Sequence, residues 1–592
     1  MKNRNIIPEA LICSLVLLFF SASAFSQSFK DKMKVKFNKE KADIYGCGYV
    51  YKKSLGAKLN PMTALQKGLG NSFTDGDNSD LGKTAISVFY QAHLHPQSIM
   101  KYPTKTPGWE TCGDAVFAGF TNKSGIGLSS TDGQFLVDDT NLEQAGVGTY
   151  FYGFSPDKRG EKQVKITSSN GNVAALSVAP AAPLEIISVD GKTKGEEIII
   201  DGSKDIIIEL RNGNADPTSN IHVQLICKLV GTPVIYDVIV TKAKNTIYIP
   251  KEAFWNFEGS PSPFMEKNTL IINRVNEEII ENTDAGAIRT ISAYMDWMQI
   301  KLTGKIAKGS IMTAGFDESK NTNIDIDLST IGEYNFVVNK GQPFTSPPVK
   351  LIKKVAFASF VVRGNLIDKQ TEVSSGGGWV TTTTTTKWFP ELSNEIWQNL
   401  ADKMYIEITK KLINEMGWDI LPLDKVVQSE AYKHIKSIKS RAVKNFVEVG
   451  AGQTQRILTT SSVDYWEDLS ITFGSDFVSQ RLVKELGVDA VLAITVDLNF
   501  DFETEGLDPV FNIVAFAPDV SYKTSARYFS MGANTKAKPL EDSRKYTGGV
   551  ENVIYQMIKT DTFTKEFIEA LKALSIKEDE YPVYEKLWKA KL

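Results

Sequence analysis

The feature that most constrains the fold of this chain is a series of short apolar segments separated by turn residues. Seven such segments lie at 184–189, 196–200, 205–210, 221–229, 234–240, 246–249 and 269–275. Several alternate apolar and polar side chains, which is typical of strands in a sheet with one buried face. Turn signals such as Asn212-Gly213 stand between them. The pattern predicts a β-sandwich at residues 183–304.

This region resembles the two-sheet sandwich of an immunoglobulin domain, which is built from about seven short strands. The resemblance is architectural, because the Cys and Trp spacing of true immunoglobulins is absent. A further β-rich module is predicted at 84–182, where short apolar runs are interrupted by Gly, Asp and Pro. Residues 27–83 are predicted to be an irregular N-terminal segment and 305–348 a linker or extension.

After Pro348 the pattern changes to strands alternating with helices. Strands are predicted at 351–362, 418–421, 488–496, 510–517 and 520–528, and helices at 393–416, 424–438, 476–486 and 552–574. This order indicates an α/β domain at 349–592, with helices packed on a mixed sheet. The chain is therefore predicted to be multidomain, with N-terminal all-β modules followed by a C-terminal α/β domain.

The longest predicted helix has clear end signals. Ser393 is an N-cap candidate, and Gly417 is placed to end the helix. Within the helix an apolar stripe repeats every four residues at Leu400, Met404, Ile408 and Leu412. A stripe with this spacing predicts that one face of the helix packs on the sheet.

Several local motifs of the α/β region match a known superfamily. They are Lys354-Val-Ala-Phe-Ala-Ser-Phe360, Lys410-Lys-Leu-Ile-Asn-Glu-Met-Gly417, Trp418-Asp-Ile-Leu-Pro-Leu423 and Glu485-Leu-Gly-Val-Asp-Ala-Val-Leu-Ala-Ile494. Residues 349–575 thus resemble the periplasmic α/β domain shared by the curli secretion protein CsgG, the penicillin-binding-protein activator LpoB and the N-terminal domain of TolB. The matching motifs are packing motifs. The resemblance implies a non-catalytic cell-envelope domain that docks on another protein or assembles into a ring.

Two insertions interrupt the predicted α/β core, at 365–390 and 445–466. CsgG carries inserted hairpins that enter a membrane, and such strands need an apolar side chain at every second position. The first insertion instead contains six consecutive threonines, Thr381 to Thr386, which offer no apolar face. We therefore expect a solvent-exposed hairpin there, and a membrane hairpin is the alternative.

The N-terminus has the three-part order of a secretory signal peptide. Lys2 and Arg4 precede an apolar run at 10–20, and small residues follow at 21–24. The run is about half the roughly 20 apolar residues needed to span a membrane. We expect residues 1–26 to be removed, with cleavage after Ser26 favoured over cleavage after Ala24. Unlike CsgG and LpoB, this chain has no Cys at a lipid-attachment position, so we expect an exported protein of the periplasm or the outer-membrane periphery. Secretion from the cell is the alternative.

Composition excludes two classes of partner and one class of scaffold. Removing Lys2, Arg4 and Glu9 with the signal peptide leaves 65 basic and 69 acidic side chains, a formal charge of −4. That balance favours neither nucleic acid nor an acidic membrane surface. Three cysteines remain, too few for a disulfide-built scaffold. Cys47 and Cys112 are able to form one bridge, and Cys227 is predicted to be a core thiol.

No catalytic, cofactor or metal site is predicted. His93 and His95 would share one face of a strand, but a third metal ligand is missing. The acidic loop around Asp75, Asp77 and Asp80 lacks the central Gly and the final Glu of a calcium loop. His222 and His434 are expected at exposed positions, and no motif for dinucleotide binding, phosphate binding or a serine nucleophile occurs.

These observations support two hypotheses of function. The first is a non-enzymatic cell-envelope accessory protein, which binds an envelope protein or self-assembles through its C-terminal α/β domain. The alternative is a secreted glycan-binding protein or hydrolase that uses the β-rich region. Its candidate stacking residues are Trp109, Tyr150, Phe151, Tyr152 and Trp255, although aromatic side chains in strands usually belong to the core.

Overall fold

The protein is described from a computed structural model. The described residues are 80–94, 114–122, 131–142, 144–146, 149–154, 156–229, 232–257, 267–282, 284–304, 324–327, 332–341, 346–376, 379–433, 435, 446–452, 478–518, 526–535, 550–581 and 583–592. The predicted signal peptide and most of the predicted irregular segment lie outside them. The chain divides into two compact units, 1–310 with 468–475 and 589–592, and 311–467 with 476–588.

The first unit is built from strands. In chain order they are β1 (Thr84–Ala92), β2 (Asp114–Asn122), β3 (Phe135–Val137), β4 (Thr140–Asn141), β5 (Gln144–Gly146), β6 (Thr149–Phe154), β7 (Lys162–Thr167), β8 (Val173–Val178), β9 (Glu185–Val189), β10 (Lys192–Thr193), β11 (Ile199–Asp201), β12 (Ile206–Arg211), β13 (Asn220–Leu229), β14 (Thr232–Lys242), β15 (Thr246–Ile249), β16 (Lys267–Asn282) and β17 (Gly286–Thr303).

A nine-stranded sheet forms the centre of this unit. Its order is β14-β13-β16-β17-β1-β2-β6-β5, and β11 pairs with the C-terminal end of β17. Neighbouring strands are antiparallel except β1 and β11, which run parallel to β17. Two four-stranded sheets, β10-β9-β12-β15 and β4-β3-β7-β8, complete the unit.

Both small sheets pack on the same face of the large sheet. Ile288 of β17 belongs to a core cluster that includes Phe135 and Val164 of the β4-β3-β7-β8 sheet. Ile300 of β17 and Ile208 of the β10-β9-β12-β15 sheet line one small cavity. Ile288 and Ile300 are separated by an even number of positions, so they point to the same side of the strand. The N-terminal region therefore has the predicted β-sandwich character, with one large sheet packed against two small sheets.

The predicted boundary between residues 182 and 183 does not divide the large sheet. Strand β1, from the predicted module at 84–182, pairs in parallel with β17, from the predicted sandwich at 183–304. The connection at residues 182–183 is also bound to the large sheet. The buried Arg274 of β16 donates from Nη1 to the carbonyl oxygens of Ala182 (2.8 Å) and Pro183 (3.3 Å). Pairing between strands that are so distant in sequence leaves no local sequence pattern. The sequence alone therefore predicts two separate modules here.

Strand β17 was not predicted from sequence, although it is central to the large sheet. Polar residues such as Arg289 and Asp296 interrupt its apolar alternation. Both are buried and have partners. Arg289 Nε lies 3.1 Å from Glu277 Oε1, and Asp296 Oδ2 accepts from Lys194 Nζ at 2.6 Å and from the Ile186 N–H at 2.7 Å. Buried charged residues with ion-pair partners therefore occupy positions at which the sequence pattern expects apolar residues.

The second unit is an α/β structure. Its strands are β18 (Ile324–Asp327), β19 (Asn335–Lys340), β20 (Lys354–Asn365), β21 (Ile367–Gly376), β22 (Trp379–Trp388), β23 (Asp419–Ile420), β24 (Phe446–Gly450), β25 (Ala490–Phe500), β26 (Leu507–Phe516) and β27 (Arg527–Asn534). The helices of this part of the chain are α1 (Asn394–Lys411), α2 (Leu423–Gln428), α3 (Glu430–Lys433), α4 (Val478–Leu486), α5 (Val550–Met557), α6 (Thr560–Asp579) and α7 (Val583–Lys591).

Eight strands form one mixed sheet in this unit. The order is β18-β19-β27-β26-β25-β20-β23, and β24 pairs with the C-terminal half of β20. Strand β20 runs parallel to β23 and β25, whereas the other neighbours are antiparallel. The predicted α/β region with helices on a mixed sheet is therefore present. Among the described residues, no helix combines the length and the apolar character needed to cross a membrane.

Helix α1 agrees closely with its sequence pattern. All four residues of the predicted stripe, Leu400, Met404, Ile408 and Leu412, are fully buried. The α-helix continues into a π-helical turn at Leu412–Met416, and Gly417 ends it with a left-handed φ of 68°. Ser393 precedes the helix as predicted, but its side chain makes no capping hydrogen bond.

Two predictions for the second unit are wrong. The helix expected at 424–438 is divided into α2 and α3, because Ser429 between them has extended backbone angles. The N-cap residue of α2 is Pro422 and not the predicted Asp424. The segment predicted as a linker, 305–348, contributes β18 and β19 to the sheet. Burial alternates along β19, with Phe336, Val338 and Lys340 inside. A lysine at an inward position obscured this alternation in the sequence.

That lysine belongs to a buried ion pair. Lys340 Nζ lies 2.7 Å from Glu578 Oε1 of α6, and the two side chains are 1% and 3% exposed. Lys340 also donates to the carbonyl oxygens of Pro347 and Tyr528, and Glu578 Oε2 accepts from the Val349 N–H at 2.8 Å. Burial lowers the pKa of Lys340 and raises the pKa of Glu578, because removal from water disfavours both charged forms. The pair joins the sheet to helix α6.

We predict that breaking this pair on one side is costly. Lys340→Met leaves the Glu578 carboxyl buried without its cation, and should lower the local unfolding free energy by about 3–5 kcal/mol. Lys340→Met combined with Glu578→Gln removes both charges and keeps an acceptor for Val349, so the loss should be clearly smaller. Hydrogen exchange of the β19 and α6 amides measures both effects. A double variant as unstable as the single one would contradict this account.

Candidate interaction surface

Strands β21 and β22 form a hairpin that makes its own two-stranded sheet. It occupies the predicted insertion at 365–390. The register is regular from Ile367 opposite Trp388 to Gly376 opposite Trp379. Threonine and valine are β-branched and favour extended backbone, which explains why the threonine run forms a strand. A hairpin is therefore present where the sequence predicts one, and most of its side chains are exposed.

The base of the hairpin is fixed to the α/β unit. The Phe389 N–H donates to the Leu366 carbonyl oxygen at 2.9 Å, and both side chains are buried. The Phe389 ring packs edge-on against Phe500 of β25, with centroids 6.2 Å apart. Lys387 Nζ lies 2.7 Å from Glu505 Oε1 and donates to the Phe502 carbonyl oxygen at 3.2 Å. The hairpin therefore emerges from the sheet in a defined direction.

The arm of the hairpin is exposed on both faces. Four large apolar side chains of the hairpin are exposed to solvent: Val373 (66%), Trp379 (80%), Val380 (70%) and Trp388 (62%). An isolated two-stranded hairpin is marginally stable in water. Val373 and Val380 lie on the same face near the tip of the hairpin, and grouped exposed apolar side chains commonly mark a site of protein interaction. The arm is thus the strongest candidate for an interaction surface among the described residues.

The two edges of the hairpin differ in chemistry. Strand β21 carries Asp368, Lys369 and Glu372, the kind of charged residues that keep natural edge strands apart. Strand β22 has no charge and no proline from Val380 through Thr386. We call this seven-residue stretch the uncharged edge. An extended, exposed and uncharged edge is a template for pairing with another strand.

Three polar side chains form a row across β20, β25 and β26, and β20 is the strand that leads into the hairpin. Arg363 is bound to Asp497 of β25 through two hydrogen bonds, one of them from Nη2 to Oδ2 at 3.2 Å. Asn512 of β26 donates to the same carboxylate at 3.0 Å. Hydrogen bonding to Asp497 raises the pKa of Arg363. These groups satisfy one another and hold β20, β25 and β26 together beneath the hairpin.

His93, the metal-ligand candidate, lies at the end of β1 in a closed cluster. Its N–H donates to Asp114 Oδ1 at 2.9 Å, its Nδ1 lies 2.7 Å from the Met295 carbonyl oxygen, and its ring stacks on Trp297. The buried Asp114 also accepts from Arg159 at 2.6 and 2.7 Å, which raises the pKa of Arg159. His95 lies outside the described residues. Within the described ranges, no group of three or more His, Cys, Asp or Glu is arranged to hold a metal.

Two of the aromatic residues proposed for glycan stacking belong to the core. Tyr150 and Tyr152 are buried in the cluster beneath β6, and the Tyr150 ring stacks on Phe135 with centroids 5.0 Å apart. Burial raises the pKa of Tyr150 to about 12. A stacking role for these two residues is therefore wrong. Trp109 and the side chains of Phe151 and Trp255 lie outside what the structure describes.

The remaining sequence candidates give no site. His222 is buried on β13, contrary to the expected exposed position. Asp80 Oδ1 accepts from the Gly82 N–H at 2.9 Å and so caps a short turn. Cys47, Cys112, His434, Asp75 and Asp77, the side chain of Cys227, and residues 453–466 of the second insertion lie outside the described residues. The described part of that insertion, residues 446–452, contains β24.

Of the comparisons with known proteins, the search of solved structures gives matches. No family model matches the chain, and no curated protein matches it. Among solved structures, one match is the SGBP-B protein of the Bacteroides ovatus mixed-linkage glucan utilization locus, in complex with a mixed-linkage heptasaccharide. It is 8% identical, covers 38% of this chain and 60% of that chain, and has a TM-score of 0.10. At these values the match supports neither a common fold nor a common ligand.

We predict that the base and the arm of the hairpin respond differently to truncation. Phe389→Ala removes a buried ring and should destabilise the second unit by about 3–5 kcal/mol. Trp379→Ala removes an exposed ring and should change stability by no more than about 0.5 kcal/mol. Thermal unfolding compared between the two variants tests this. A large loss from Trp379→Ala would show that the arm is packed, and would remove its candidacy as a free surface.

Proposed function

We propose that this chain is an exported, non-enzymatic accessory protein of the cell envelope that associates with protein through its C-terminal α/β unit. The observation that carries the proposal is the hairpin, an anchored arm with the uncharged edge and four exposed large apolar side chains. The signal-peptide pattern and the resemblance of residues 349–575 to envelope domains supply the proposed location.

The chemistry of the arm favours a protein strand as the ligand. An extended segment placed beside β22 would pair with its outward N–H and C=O groups, which is the basis of β-strand addition. Main-chain hydrogen bonds give such an interaction its affinity, and pockets for alternate side chains give it specificity. Val380 and Trp388 lie on one face of β22 and would contact alternate side chains of the added strand.

The base of the hairpin suits this role because it fixes the direction of the arm. Residues immobilised before binding lose less conformational freedom on association. The contacts of Phe389 and Lys387 with the β25–β26 region restrain the root of both strands. The arm is therefore presented in one orientation, with the outer edge of β22 available for pairing.

A site-specific photocrosslinker tests the proposal in the envelope of the source organism. We expect a crosslinker at Val380 to capture a protein, because this residue lies on the uncharged edge. A crosslinker at Lys410, which is exposed on α1 of the same unit, should capture far less and serves as the matched control. Mass spectrometry of the adduct locates the crosslinked segment.

A shortened arm provides the second comparison. Replacing residues 370–385 by Asn-Gly closes the hairpin at the Lys369 and Thr386 pair with a favoured two-residue turn. This variant keeps the base contacts of Lys387 and Phe389, so we expect a folded protein that no longer associates. Unchanged association of this variant, or a full chain that is strictly monomeric and captures no protein from Val380, would refute the proposed function.

A further inference from the structure

The uncharged edge of β22 is chemically suited to pair with itself. From Val380 through Thr386 every residue is β-branched, so antiparallel self-pairing centred in this stretch sets β-branched residues opposite one another at its middle. Cross-strand Thr–Thr pairs and pairs of an aromatic with a β-branched residue stabilise antiparallel sheets. The stretch therefore needs no complementary sequence from a different protein.

Two-fold symmetry restricts how two copies of β22 can meet. An axis perpendicular to the sheet relates antiparallel strands and keeps the same face of both copies on the same side. Residues directly opposite must then point to the same face, so they differ by an even number of positions. A register centred on Thr384 satisfies this rule, with Thr384 opposite the same residue of the second copy.

That register gives favourable pairs along the whole strand. Val380 lies opposite Trp388 of the second copy, and Thr382 lies opposite Thr386 of the second copy. On the other face, Lys387 lies opposite Thr381 of the second copy, so no like charges meet. Val380 and Trp388, now 70% and 62% exposed, would cover one another on the same face of the joined sheet.

The outer edges explain why assembly would stop at two copies. Joining two hairpins through β22 makes a four-stranded sheet of order β21-β22-β22-β21. Its remaining edges are the two β21 strands, which carry Asp368, Lys369 and Glu372. Charged edge strands resist further pairing. The product is a closed dimer and not a fibre.

We propose that this protein forms a two-fold homodimer in which β22 pairs antiparallel with β22 of a second copy, centred on Thr384. The proposal rests on the proposed function and names its partner as a second copy of the chain. It requires the hairpin in the full chain to be free to meet another hairpin.

Introducing a charge at the centre of the interface provides the test. Thr384→Lys places like charges directly opposite across the axis, and should weaken dimerisation by about fivefold to tenfold. Thr384→Glu should weaken it similarly. Mixing the two variants places opposite charges across the axis, so the mixed dimer should recover. Sedimentation analysis of each full-length variant, and of the mixture, measures these affinities.

Thr371→Lys is the matched control. Thr371 lies directly opposite Thr384 within the hairpin, and the two hydroxyls are 3.2 Å apart, so either substitution removes the same hydrogen bond. In the proposed dimer, however, the two copies of residue 371 lie on the outer strands, about 14 Å apart at roughly 4.8 Å per strand. That distance exceeds the Debye length of about 8 Å at physiological salt. We expect this variant to dimerise as the parent chain does.

Failure of this inference can be told apart from failure of the proposed function. A full chain that stays monomeric at high concentration, while the crosslinker at Val380 captures a different protein, would overturn the homodimer and leave the proposed function intact. Equal weakening by Thr371→Lys and Thr384→Lys, or no recovery on mixing, would also overturn the homodimer. Absence of both self-association and capture would overturn the two proposals together.

Discussion

The need of every strand to satisfy its backbone N–H and C=O groups on two edges governs the architecture of this chain. Strand β17 meets this need with β16 on one edge and with β1 and β11 on the other. Strand β20 has β25 on one edge and β23 and β24 on the other. In both units one long strand is thus shared by partners that are distant in sequence. The hairpin differs, since β21 and β22 pair only with each other within the described residues.

Charged residues can occupy buried positions on these central strands because each of them has a partner. Arg289 with Glu277, and Lys340 with Glu578, are almost fully buried ion pairs on strands or on the helix that packs against them. A buried charge is tolerated when its partner and further hydrogen bonds replace water. Arg274 applies the same principle without a carboxylate, because backbone carbonyl oxygens accept its N–H groups. The strands that carry these residues are held in register by polar contacts as well as by apolar packing.

The same charges explain how much of the fold could be predicted from sequence. Segments with regular apolar alternation or helical stripes, such as β13, β15 and α1, were predicted close to their observed bounds. Strands β17 and β19 were not, because Arg289, Asp296 and Lys340 occupy positions that a sequence pattern expects to be apolar. Their partners lie far away in the chain, and no local signal reports them. The parallel pairing of β1 with β17 was hidden for the same reason, so two regions of one sheet were predicted as separate modules.

For the candidate interaction surface, in contrast to β17 and β19, local sequence features are enough to predict the strands. The threonine run and the flanking Trp379 and Trp388 are visible in the sequence, and their local propensity was enough to predict an exposed hairpin. The base contacts were not visible, because Glu505 and Phe500 are more than a hundred positions from the residues that they hold. Sequence also could not separate the two edges, since the register decides which strand carries the charges and which does not.

The use of threonine on the uncharged edge has a physical consequence for any association made there. Threonine keeps the β-branched shape that favours extended backbone, but its hydroxyl remains hydrated when the strand is unpaired. A run of valine or isoleucine with the same propensity would expose a continuous apolar strip and favour irreversible aggregation. Pairing through threonine instead exchanges hydrogen bonds with water for hydrogen bonds with a strand, and the net gain per bond is modest, about 1 kcal/mol. An edge of this composition therefore favours association that is specific in register and reversible, with Val380 and Trp388 supplying most of the apolar area to be buried.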